Sequence, residues 1–198
     1  MPNPPRFRWP IAKLYRPGLM LVVALKLSAG YSENAAAQRL SADENSVKAA
    51  FVYSFVKYAE WPEEQWNKSP TVRVCTTGAR SPLSEALTAL DPKLSVRGKE
   101  LEIRAVVRPQ DAVNCHILVL AGRERLADWA RSIRQMPVLS IGESDGFAAG
   151  GGVIGFFIDG EKVRFEINNE AAQRAGLKLS SQLLKLARLV KDEPQGGR

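Results

Sequence analysis

The chain has 198 residues, 45% of them hydrophobic and 25% charged, with a formal net charge of +7, which suits one ordinary domain and leaves little over for a second. Within residues 1–37, Arg6, Arg8, Lys13, Arg16 and Lys26 stand against Glu33 alone, so more than half of the positive excess lies at the N-terminus. A nucleic-acid protein keeps its basic stripe on the folded domain, so no nucleic-acid partner is expected.

That N-terminus has the layout of an export signal. A basic, proline-containing stretch precedes the short apolar run GLMLVVAL at residues 18–25, and Ala35-Ala36-Ala37 places small residues just before Gln38. The run is too short to span a bilayer, which takes about 20 residues. The expectation is a signal peptide over residues 1–37 and an exported, periplasmic domain over residues 38–198. Two alternatives stay open: cleavage near Ala29 or Gly30, and an uncleaved anchor lying in the membrane interface.

Ser41-Ala42-Asp43-Glu44 reads as a capping box opening a helix. Pro62 disfavours helical geometry at Trp61, so the helix should end at Ala59 or Glu60. At 100° per residue, Val47, Phe51, Phe55, Tyr58 and Ala59 share a face expected to be core, with Tyr53, Lys57 and Glu60 opposite. The loop WPEEQW follows at residues 61–66.

Residues 71–78, TVRVCTTG, alternate as a strand does. Residues 80–90 begin a helix with Ser81 as N-cap and Pro82 in the first turn. Strands are predicted at 100–107, at 115–120 and at 137–142, with an amphipathic helix at 123–133. CHILVL, residues 115–120, is apolar throughout, the mark of a strand covered on both faces. Two further strands flank Asp159-Gly160, a hairpin signal. Gly176 caps a helix at 169–175, and SSQLLKLARLV, residues 180–190, reads as a closing helix. Alternating strands and helices with one hairpin predict a single compact α/β domain, a mixed β-sheet flanked by helices with a C-terminal hairpin and helix.

Few residues suggest chemistry. His116, the one histidine, neighbours Cys115 on a predicted strand, where adjacent side chains point to opposite faces and cannot form a thiolate–imidazole pair. Two cysteines and one histidine do not make a structural zinc site, so no metal and no cofactor are expected. The glycines at 146, 150, 151, 152 and 155 run into an apolar strand rather than a helix, which favours a bulged approach to that strand over phosphate binding. With no triad and no carboxylate in an apolar setting, no catalytic residue is expected and the protein does not read as an enzyme. Cys75 and Cys115 are an even pair in a chain with an export signal. A bridge between them is favoured, worth roughly 4 kcal/mol in the chain-entropy model, and buried thiols are the alternative.

Two features suggest recognition. Trp61 and Trp66 bracket Glu63 and Glu64, and with Tyr53 they form the expected partner-binding residues, since Trp is a favoured interface anchor; the opposing reading has both indoles sealing the edge of the core. Lys178, Lys185, Arg188 and Lys191 form a basic arc at the C-terminal helix, of which Lys178, Lys185 and Arg188 are the residues a small ligand would use, although cations at a helix C-terminus are commonly solvated surface.

The segments VKAAFVYSFVKYAEWP and GGGVIGFFIDGEKVRFEINNEAAQRAGLKLSSQLLKLARLV closely resemble the YfiR-like family of exported bacterial proteins, and the resemblance runs from about residue 46 to 190. It implies a periplasmic repressor that binds the periplasmic part of an inner-membrane diguanylate cyclase, lowering cyclic di-GMP and biofilm formation. It further implies capture by an outer-membrane, peptidoglycan-associated lipoprotein, a compact α/β fold that commonly dimerises, and a structural disulfide between Cys75 and Cys115. A second cysteine pair found in some members is absent here. The alternative is a periplasmic module binding a small ligand, such as a nucleotide or an aromatic compound.

Overall fold

In a computed structural model, residues 42–77, 81–120 and 126–192 are described. The expected signal peptide, 1–37, and the N-cap Ser41 lie outside them. Helix α1 covers 42–58 and leads directly into the two-residue strand β1, Ala59–Glu60. Its end is therefore close to the predicted one, but the last two residues pair antiparallel with β9, Lys178–Leu179, instead of continuing the helix.

The main sheet is built from β2 (Val72–Thr77), β3 (Ser95–Val96), β4 (Lys99–Val106), β5 (Ile117–Leu120), β6 (Leu139–Gly142), β7 (Ile154–Asp159), β8 (Lys162–Asn168) and β10 (Arg188–Val190). Their order across the sheet is β10-β8-β7-β6-β5-β2-β4-β3. Strands β4, β2, β5, β6 and β7 run parallel, β7 and β8 form the predicted antiparallel hairpin, and β10 runs parallel to β8. Between them lie α2 (Glu63–Asn67), α3 (Pro82–Thr88), a 3-10 turn at Pro109–Asn114, α4 (Leu126–Ile133), α5 (Asn169–Arg174) and α6 (Ser181–Leu186). The chain is thus the mixed α/β domain expected, with an eight-stranded sheet flanked by helices.

Local sequence explains several boundaries. The Ser81 hydroxyl accepts from the Ser84 amide while the Ser84 hydroxyl accepts from the Ser81 amide, a reciprocal cap that starts α3 ahead of Pro82. Asn168 caps α5 by accepting from the Ala171 amide. Gly160 (φ 61°) provides the left-handed residue that the β7–β8 turn needs.

The apolar stretch of β5 is covered on both faces, as its composition requires. Ile117 and Val119 point into the larger core, with Val52, Phe55, Val72, Leu139, Ile154 and Ile167. Leu118 and Leu120 point the other way, into a smaller cluster with Cys75, Cys115, Trp129, Ile133 and Phe147. The larger side carries α1, α3, α5 and α6, and the smaller carries α4 and the 3-10 turn.

Two expectations are corrected. The buried face of α1 is Asn45, Lys48, Ala49, Val52, Phe55 and Val56, continued by Ala59 of β1, whereas Val47 and Tyr58 are 41% and 38% exposed and Phe51 is half-buried. The buried face is centred on Ala49, Val52, Phe55 and Val56, and Lys48 beside them is satisfied by ion pairs with Glu44 (2.6 Å) and Glu143 (2.8 Å). Tyr53, expected opposite the core, packs against it and donates its hydroxyl to the Ser95 carbonyl at 3.3 Å. The second correction concerns SSQLLKLARLV, which is not one helix: α6 stops at Leu186 and residues 188–190 extend as β10. Leu189 pairs with Ile167, and parallel pairing to β8 outweighs the local helical pattern.

The glycine-rich loop has a packing purpose. Phe147 is buried between Gly142 and Gly152, and a Cβ added at either would sit 2.4 or 2.1 Å from its ring. Both positions are glycine because the ring occupies the space a side chain would fill.

Candidate functional site

The stretch expected as a loop, WPEEQW, instead holds the five-residue α2, because Pro62 is set at its N-cap with φ −52° and Glu63 and Glu64 fall in its first turn. Trp61 then points inward and is 7% exposed; its indole Nε1–H donates to the His116 carbonyl at 3.0 Å. Trp66 stacks on Trp61 with ring centroids 5.7 Å apart, and the His116 imidazole meets both indoles edge-on at 5.9 and 5.4 Å. Gln65 donates to the carbonyls of Val113 (3.3 Å) and Cys115 (3.1 Å). The loop is therefore fastened to the chain entering β5, beside the disulfide.

Cys75 and Cys115 are bridged, with Cα atoms 6.0 Å apart. The bridge ties the middle of β2 to the residue that ends the 3-10 turn, so both cysteines are buried. His116, next in sequence, is also buried. Its Nδ1 accepts from the Arg73 amide at 3.0 Å, which leaves the proton on Nε2. Burial, reinforced by the positive charges of Lys99 and Arg73, pushes its pKa down to about 4, so the imidazole is neutral. Nε2 of His116 and Oε1 of Gln65 are both buried without a hydrogen-bond partner among the described residues.

On the outer side of Trp66, the Arg97 guanidinium and the Lys99 ammonium each lie 5.0 Å from its ring. Lys99 also donates to the carbonyls of Trp66 and Ser69, and Arg97 to the carbonyl of Ala59. The second reading of the tryptophans is the one the geometry carries. Trp61 is core, Trp66 is half-buried beneath two cations, and neither offers a free indole face as an anchor. What α2 presents outward is Glu63 and Glu64, both exposed.

The other expected residues separate. Lys178 lies opposite Glu60 in the β1–β9 ribbon and so shares a surface with the start of the tryptophan loop. Lys185 lies in the last turn of α6, and Arg188 is in β10, where it pairs with Glu166 at 2.6 Å and covers the Phe157 ring at 3.9 Å. The basic arc expected along one helix is therefore split among three elements. Sequence reasoning also missed Arg97 and Lys99: they flank a turn with Arg97 at φ 51°, and nothing local connects them to a tryptophan some thirty residues earlier.

Among the described residues no three His, Cys, Asp or Glu side chains converge as a metal site would require, and no helix is long and apolar enough to cross a membrane. Fold and site together define a disulfide-tied, mixed-sheet α/β domain with an aromatic junction at its centre and charged side chains over it. The chain belongs to the YfiR/HmsC-like family, which it matches over residues 45–188. That is a regulatory, non-catalytic family of the periplasm. Among solved structures, one described as an ABC domain in complex with L-Trp from Streptococcus pneumonia is similar at 13% identity with a TM-score of 0.43. The similarity covers 60% of this chain, and the chain spans 55% of that structure's length.

Proposed function

We propose that this protein is a periplasmic regulator that represses an inner-membrane diguanylate cyclase by binding its periplasmic part, so lowering cyclic di-GMP and biofilm formation. The observation that carries this is membership of the YfiR/HmsC-like family over residues 45–188. The buried Cys75–Cys115 bridge supports it, because such a bond persists in an oxidising compartment. Repression acts through protein–protein contact, with release by an outer-membrane, peptidoglycan-associated lipoprotein, and the repressor works as a homodimer.

The surface of β1 and α2 suits such contact through its charges. Glu63 and Glu64 project from α2, which is held rigid by Trp61, Gln65 and His116, so a partner meets a preorganised acidic ridge. The experiment is intracellular cyclic di-GMP in a deletion strain and in the same strain complemented with the exported protein. A rise on deletion that complementation reverses is expected, and an unchanged level with the protein present in the periplasm overturns the reading. Complementation with Glu63→Lys and Glu64→Lys together is expected to restore less than half the repression of the wild type, by about the few-fold that charge reversal at an interface costs. Small-ligand binding by Lys178, Lys185 and Arg188 gains no support, since they lie on separate elements and Arg188 is engaged by Glu166.

A further inference from the structure

The two edges of the large sheet differ. At one edge, β3 pairs with only the first two residues of β4, and the rest of β4 carries Glu102 and Arg104, paired with each other at 3.1 Å and with Arg73 close by. Charged side chains on an edge strand discourage a further strand from adding. At the other edge, β10 has no neighbour on its outer side among the described residues. Cross-strand partners share a face, so Ile154, Ile167 and Leu189 form one apolar row across β7, β8 and β10. The first two are fully buried, but Leu189 is 59% exposed, and Leu186 just before it is 73% exposed. The row runs off the sheet.

We infer that β10 is a strand-addition site for an extended, acidic segment of a partner protein, which lays an apolar residue beside Leu189 and Leu186 and its carboxylates beside Lys185 and Lys191. Charge selects this occupant. Arg188 is already held by Glu166, and Asp192 by Arg174 (2.9 Å) and Asn168 (2.6 Å). Lys185 and Lys191, one on each side of the strand, are exposed and have no acidic partner among the described residues. A second copy of this chain would bring the same two lysines to the edge and meet repulsion, whereas an acidic strand neutralises them while its backbone completes the hydrogen bonds that β10 leaves open.

This deepens the regulatory reading by naming the kind of segment bound, and it is tested without the cyclase, so that either can fail alone. The probe is a short capped peptide alternating glutamate and valine, titrated into the isotope-labelled protein, with a lysine–valine peptide as control. Saturable binding of the acidic peptide is expected, with amide exchange at Arg188–Val190 slowed about tenfold or more, as new strand pairing requires. Leu189→Lys and Lys191→Glu, both at exposed positions, are each expected to weaken binding by about tenfold with the unfolding midpoint unchanged, and the lysine peptide to bind at least as poorly. The proposal is overturned if the acidic peptide does not bind, if it binds without protecting these amides, or if Leu189→Lys binds it as well as the wild type. It is also overturned if the protein alone is a dimer that Leu189→Lys dissociates, since a second copy then holds the edge.

Discussion

The two faces of the sheet are held by different means. On the α1 side the core is wide and aromatic: Phe51 and Phe55 each stand 5.0–6.3 Å from the rings of Phe156 and Phe165 and 6.0 Å from each other, and four helices share the cover. On the α4 side a smaller apolar cluster surrounds a covalent bridge, with Phe147 filling the space between two glycines. The difference teaches that a face with too little cover to stabilise itself by burial can be secured by a crosslink and by tight local packing. His116 sits where the two meet, next to Cys115 and against Trp61 and Trp66.

The comparison breaks most visibly at Phe55. Phe55→Ala is expected to cost about 4 kcal/mol, the range for emptying a fully buried aromatic site, and urea denaturation should show the same loss with the disulfide intact or reduced. Cys75→Ala with Cys115→Ala is expected to cost about 3 kcal/mol. This is below the chain-entropy figure, because a reduced unfolded chain keeps some residual structure. If the two losses add, the faces are independent; a large coupling would merge them into one core.

Smaller effects sharpen the contrast. Gly152→Ala puts a Cβ into the Phe147 ring, and moving that ring is expected to cost about 2 kcal/mol with little change to the α1 side. Near-ultraviolet circular dichroism and the unfolding midpoint check it. The last effect is pH-dependent. His116 is neutral in the fold with its pKa pushed down to about 4, while in the unfolded chain it protonates near 6.5. The unfolded state therefore binds the extra proton between those values. The stability is fully present above about pH 6.5 and is lost as pH falls towards 4, with on the order of 1–2 kcal/mol gone by about pH 5. Glu102 and Asp192 also have lowered pKa values, and their window opens at the ordinary carboxylate values and runs downward from there. A His116→Gln variant should lose the slope between pH 6.5 and 4.5 and keep the one below it.

Much of the fold was legible because the signals were local. Ser81 and Pro82 mark the start of α3, Asp159-Gly160 marks the hairpin, and the unbroken apolar run of β5 requires cover on both faces. The two corrected elements fail for a shared reason. The period of α1 places Val47 and Tyr58 inward, yet the face that packs is the one carrying Ala49, Val52 and Val56, where Lys48 meets Glu143, a residue 95 positions away. The 180–190 segment has a helical pattern, yet pairing with β8 draws its end into a strand.

The candidate site divides along the same line. Residue types alone single out Trp61, Glu63, Glu64 and Trp66, and composition pairs Cys75 with Cys115. Whether an indole is an anchor or a core residue depends on what lies over it, and here that is the His116 carbonyl beneath Trp61 and the cations of Arg97 and Lys99 above Trp66. The sequence by itself determined most of the longer elements, the sheet type and the hairpin, because capping, turn chemistry and apolar periodicity act over a few residues, and the resemblance of two of its segments pointed to the family. Only the tertiary structure decided which aromatics are buried, which lysine is drawn inward, and which sheet edge stays open, because those depend on partners that chain topology brings together from far apart.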